Sequence, residues 1–137
     1  MKQRMMIDTG PLVAFLCQAD ARHQWVTTQL DDVNPPLLTC EAVISETCFL
    51  LQRHHADASA VLALLRQQLL TVPFRISEES ESIFQLMSKY ADVPMSFADA
   101  CLVRMSERTP ESAILTFDHD FYTYRRFHRQ SIPLLIP

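Results

Sequence analysis

The sequence predicts an α/β fold, a parallel sheet covered by helices on both faces. Three observations carry that expectation. Short apolar runs alternate along the chain with longer stretches of helical periodicity. Of the 137 residues, 48% are hydrophobic, enough for one buried core. No repeat, low-complexity tract or linker divides the chain, so residues 1–137 read as a single domain.

The elements follow in order. Residues 5–7 form a first strand that ends on Asp8. Gly10-Pro11 opens a helix, because proline is tolerated at a first helical position, and Leu12, Val13, Phe15 and Leu16 continue it. Asp20 is placed to cap a second helix carrying Trp25, Val26 and Leu30. Pro35-Pro36 breaks the pattern, and residues 37–39 make a second strand. Helices are expected over 41–54 and 57–70, then a strand over 71–75. Ser77 would cap a helix to about Tyr90, and Pro94 with Ser96 opens another to about Arg108. Residues 113–116 form a fourth strand, the segment 117–121 a turn with a short helix, and residues 133–136 the last strand.

Composition excludes several functions. The single glycine, Gly10, rules out a P-loop or a dinucleotide fingerprint, which need several. A formal charge of −4 is not that of a DNA-coating protein. Cys17, Cys40, Cys48 and Cys101 form no C-x-x-C pair and lie in apolar runs, so buried free thiols in a reducing cytoplasm are expected rather than zinc. No apolar run approaches the length of a membrane span or the pattern of a signal peptide. The five histidines are scattered.

Four carboxylates stand out. In a parallel sheet the functional crevice lies at the carboxyl ends of the strands. Asp8 ends the first strand and Asp118 follows the fourth; as turn residues both are also ordinary. Glu46 has Ala42, Val43, Phe49 and Leu50 as helical neighbours, which puts it on or beside an apolar stripe where glutamate is seldom found unpaired. Ser96-Phe97-Ala98-Asp99 resembles a capping box, and the helix start favours an ionised Asp99. Asp120 completes a D-x-D, and Thr116 can orient a carboxylate or a water. Oxygen-only donors favour Mg²⁺ or Mn²⁺, and clustered carboxylates need a cation to offset their repulsion. The segment 122–129, YTYRRFHR, offers aromatic and basic contacts for RNA, with Tyr122, Arg125 and Arg126 as candidates and Arg104 extending the patch. It reads equally well as an amphipathic surface helix.

These residues resemble the PIN-domain family across almost the whole chain. The resemblance is carried by Met6-Ile7-Asp8-Thr9-Gly10-Pro11-Leu12, Val43-Ile44-Ser45-Glu46, Ser96-Phe97-Ala98-Asp99-Ala100 and Leu115-Thr116-Phe117-Asp118-His119-Asp120-Phe121. It implies a three-layer α/β/α sandwich with a parallel sheet of about five strands. It also implies an endoribonuclease using Mg²⁺ or Mn²⁺, with Asp8, Glu46, Asp99 and Asp118 as its acidic centre and Thr116, Asp120 and Ser96 in support. Small members of VapC type are toxins, usually homodimeric and inhibited by an antitoxin partner. A catalytically silent RNA- or protein-binding module on the same fold is the rival expectation. An aspartyl-phosphate enzyme is disfavoured, since Gly10 stands where such phosphatases place a second aspartate.

Overall fold

The computed structural model describes residues 3–137. The chain runs β1 (Arg4–Ile7), α1 (Thr9–Leu16), α2 (His23–Asp31), β2 (Leu37–Leu38), α3 (Glu41–Arg53), α4 (Ser59–Arg66), β3 (Leu70–Thr71), α5 (Ile76–Lys89) and α6 (Phe97–Arg108). It continues with β4 (Ser112–Leu115), a 3₁₀ turn (His119–Tyr122), a hairpin of β5 (Arg125–Arg126) and β6 (Gln130–Ser131), and β7 (Leu134–Leu135). Five strands pair in parallel in the order β3-β2-β1-β4-β7, as the alternation of short apolar runs and helices led one to expect.

The order of the strands places the layers. The first two crossovers step in one direction, and the third steps back across the sheet to β4. Right-handed connections therefore put α1–α4 on one face and α5–α6 on the other. The strands between them are buried on both sides: Met6, Ile7, Ile114 and Leu115 have no exposed surface. The order reverses between β1 and β4, which makes that junction the topological switch point of the sheet.

Several boundaries differ from the sequence expectation. The helix expected over 57–70 ends at Arg66, and the third strand is Leu70–Thr71 rather than 71–75. Leu70 has to leave the helix because it is buried beside its strand partner Leu37, and Pro73 has no N–H with which to extend the ladder. Asp20 does not cap α2. It precedes the helix by a turn and accepts the Arg22 N–H at 2.8 Å. Ser77 lies inside α5, whose N-cap is Arg75. The segment 122–129 is not a surface helix but leads into the β5–β6 hairpin, with Phe127 and His128 at positive φ in its turn. Cys40 and Cys101 are buried, Cys17 and Cys48 half-buried, and all are free thiols.

A chain with one glycine must close its helices by other means. After α3 the N–H of Ala56 bonds Leu51 O at 2.8 Å, and after α4 the N–H of Leu69 bonds Leu64 O at 3.0 Å. These six-to-one bonds satisfy carbonyls left over at the helix ends, and they require a left-handed residue in between. His55 (φ 58°) and Gln68 (φ 60°) take that place, where glycine is usual. Both side chains are exposed, so they contribute little packing in return. Gln68→Gly is expected to stabilise the protein by about 1 kcal/mol, since it relieves a Cβ clash at little loss of contact. Urea denaturation of the two proteins checks this; an equal or lower midpoint for the variant contradicts it.

Candidate active site

The residue following β1 and the residue following β4 meet at the switch point. Their strands are in register, Ile7 beside Leu115, and the Asp8 N–H continues the ladder to Leu115 O at 3.0 Å. Asp8 is therefore fixed on rigid backbone. Its Oδ1 accepts the Thr9 N–H at 2.8 Å, which caps α1, and its Oδ2 accepts the Thr116 hydroxyl at 2.7 Å. Thr116, wholly buried, also accepts the Asp118 N–H at 3.0 Å through the same oxygen. One hydroxyl thus sets the position of two acids from different strands.

Asp99 enters from α6. Ser96 caps that helix by accepting the Asp99 N–H at 3.0 Å, one half of the capping box read in the sequence. The other contact is different in kind: the Asp99 carboxylate accepts the Tyr124 hydroxyl at 2.8 Å. Tyr124 is fully buried, stacked edge-on against Tyr90 and Phe121. Asp118 caps the 3₁₀ turn, with its Oδ1 accepting the Asp120 N–H at 2.9 Å. Glu46 is exposed rather than buried in the stripe of α3, and its Oε2 accepts the Thr9 hydroxyl at 3.1 Å.

All these acids line one open cleft of about 470 Å³. Asp8, Glu46, Asp99, Asp118, Asp120 and Ser96 are on its wall. Burial pushes the Asp8 carboxyl up to about 6, against the bonds from Thr116 and Thr9 that hold it down; the charges of Asp99 and Asp118 push the same way as burial. Burial also raises Asp99, opposed by its bond from Tyr124 and reinforced by Asp118. Tyr124 is in turn held well above the ordinary tyrosine range by burial and by Asp99.

As they stand, no three acidic, histidine or cysteine side chains among the described residues are close enough to enclose a metal ion. The donor chemistry nonetheless fits a hard cation. The donors are carboxylate and hydroxyl oxygens, and two of the carboxylates carry a buried charge that a cation would offset. Asp8, Asp99 and Asp118, which line the same cleft, are the residues that would hold it.

The proposed RNA contacts fall elsewhere. Arg104 donates to Glu79 at 2.6 Å and to Glu107 at 3.0 Å, tying α6 to α5. Arg126 is buried, and its guanidinium donates to Ser106 O and Pro110 O, closing the end of α6. Arg125 donates to Tyr122 O at 2.7 Å and to Tyr124 O at 3.0 Å, and it lines a separate pocket with Lys89 and Arg104. Tyr122 is exposed against His119. None of the four is on the wall of the acidic cleft. Sequence reasoning missed Thr9, Tyr124 and Phe117. The alternation of tyrosines at 122 and 124 was a usable signal, but nothing local says which of the two points inward.

Comparisons with known proteins bear on the family and the fold. The PIN domain family matches residues 5–126. Ribonuclease VapC26 of Mycobacterium tuberculosis is 28% identical over 126 residues, covering 89% of this chain and 92% of that protein. The crystal structure of VapC20 from the same organism, described as a sarcin-ricin loop cleaving toxin, superposes with a TM-score of 0.75 at 23% identity, covering 92% of this chain and 98% of that one.

The raised Asp8 group makes stability depend on pH. Folding raises its proton affinity, so it favours the folded state most below about pH 4 and loses that contribution as pH rises through about 6. Ionised and metal-free, Asp8 costs about 3 kcal/mol. In chelator, unfolding at pH 5 and pH 8 is expected to show higher stability at pH 5, with the difference reduced in Asp8→Asn. An undiminished difference in that variant contradicts the assignment. The strand order, the family match and the fold of the solved relative together assign this chain to the PIN-domain family.

Proposed function

We propose that the chain is a divalent-metal-dependent endoribonuclease that hydrolyses RNA phosphodiester bonds, in the manner of a VapC-type toxin. The observation that carries the reading is the meeting of buried Asp8 with Asp99 and Asp118 in an open cleft at the switch point of the sheet. The names of the similar proteins, a ribonuclease and a sarcin-ricin loop cleaving toxin, support the same chemistry. The reading brings with it an antitoxin partner, a homodimeric assembly and action in the cytoplasm. No helix among the described residues is long and apolar enough to cross a membrane.

When bound, Mg²⁺ or Mn²⁺ supplies positive charge that polarises a phosphate oxygen and eases removal of a proton from the attacking water. The protein's own contribution is orientation. Thr116 and Thr9 fix both oxygens of Asp8, and Tyr124 fixes Asp99, so the acids are prearranged rather than ordered during reaction. Glu46, exposed on the cleft wall with Oε2 held by Thr9, keeps Oε1 to accept the water's proton. Asp118 and Asp120 add to the cleft wall from the 3₁₀ turn.

A silent binding module is the competing reading, favoured by the spacing of the acids, which do not yet enclose an ion. One experiment separates the two. Purified protein is incubated with a mixed cellular RNA pool in Mg²⁺, in Mn²⁺ and in chelator. Cleavage is expected in the metals and not in chelator, with Asp8→Asn and Asp99→Asn each slowed roughly 100-fold or more. Cleavage that survives chelation or both substitutions overturns the metal-carboxylate account. RNA bound but never cut, in any metal, moves the conclusion to the binding module.

A further inference from the structure

Among the described residues, the wall of the acidic cleft carries carboxylates but no basic side chain, an awkward surface for a polyanion. One wall residue, Phe117, leads to a cation. The Arg22 guanidinium lies 4.4 Å from the centre of the Phe117 ring, within cation–π range. Trp25 packs against the same ring with centroids 6.1 Å apart. Arg22 is exposed and makes no ion pair among the described residues. Its backbone is held in place all the same. The Arg22 N–H donates to Asp20 Oδ1 at 2.8 Å, and the next residue, His23, bonds Ala14 O through Nδ1 at 2.7 Å.

The single glycine of the chain belongs to this arrangement. A Cβ on Gly10 would stand 2.9 Å from Phe117 Cδ2, closer than real contacts allow. Glycine at position 10 is what lets the ring settle on the start of α1, beside Asp8.

We propose that Arg22 and Phe117 form a nucleotide subsite at the rim of the cleft, binding one nucleotide of a single-stranded RNA next to the cleaved bond. This rests on the ribonuclease reading and deepens it. The contact with Phe117 positions the guanidinium at the rim, where its N–H groups can make paired bonds to a backbone phosphate. The half-exposed ring offers the cleft an aromatic surface for a base. Arg22 thus compensates, next to the site, for the negative field that the acids present to the approaching strand.

The test uses the full chain carrying Asp99→Asn, so that RNA is bound without being cut, and a fluorescein-labelled single-stranded RNA of about 12 nucleotides. Anisotropy titrations at several salt concentrations compare this protein with forms that also carry Arg22→Ala, Arg22→Lys or Phe117→Leu. Arg22→Ala is expected to weaken binding roughly tenfold and to lower the salt slope by about 0.7, the loss of one phosphate contact on a single strand. Arg22→Lys is expected to restore the slope but not the full affinity, since lysine cannot stack or bond in pairs. Phe117→Leu is expected to weaken binding about fivefold or more with less effect on the slope. Circular dichroism confirms that each form is folded, and the exposed Arg22 variants decide the matter should Phe117→Leu fail to fold. If the parent binds RNA and the Arg22 variants match it in affinity and slope, the subsite is overturned and the ribonuclease reading stands. If the parent binds no RNA and the unsubstituted protein cuts none, the ribonuclease reading fails and the subsite with it.

Discussion

The parallel pairing of β1 with β4 is the constraint on which the site depends. It sets Asp8 beside Thr116 and allows the 2.7 Å bond between them. That bond would be of little account in water. Here both partners are buried, so the hydroxyl fixes a carboxylate that has few other ways to be solvated. Because Thr116 also accepts the Asp118 N–H, movement of either strand end would disturb both acids at once. The sheet therefore does more than carry the residues. Its register fixes the angle at which they face the cleft.

The remaining elements attach to that pair. Helix α6 brings Asp99, and Tyr124, after β4, reaches back to hold it. The hairpin that follows Tyr124 is fastened to the end of α6 by Arg126, so the segment that orients Asp99 is anchored to the helix that carries it. Glu79 in α5 completes the frame through Arg104 and Arg108. The result is a set of acids oriented by scaffold contacts, with burial raising the proton affinity of Asp8. Proton and cation then compete for the same place, which ties affinity for a metal to pH.

Much of this was legible in the sequence, for physical reasons. Alternating short apolar runs and amphipathic stretches determine a covered parallel sheet, and the rule for such sheets points to residues just past strand ends, hence Asp8 and Asp118. Ser96 announced a helix start because a cap is a local device. What stayed hidden was non-local or depended on one residue's direction. The strand at Leu70 was masked by a leucine-rich run that reads as helix until its pairing with Leu37 is known. Arg104 and Arg126 looked like surface cations because their partners are backbone carbonyls and a buried glutamate brought in by folding. Tyr124 and Phe117 contribute through tertiary contact alone. In the sequence the lone glycine marks only an absence of phosphate loops; its positive reason, the seat of Phe117, lies in the fold.

Calorimetric titration with Mn²⁺ at pH 8 tests whether these acids form a cation site, without reference to any RNA. Binding is expected to be saturable, to release protons at lower pH, and to be abolished or greatly weakened by Asp8→Asn and by Asp99→Asn. An absence of binding to the unsubstituted protein, or equal binding to all three proteins, would contradict it.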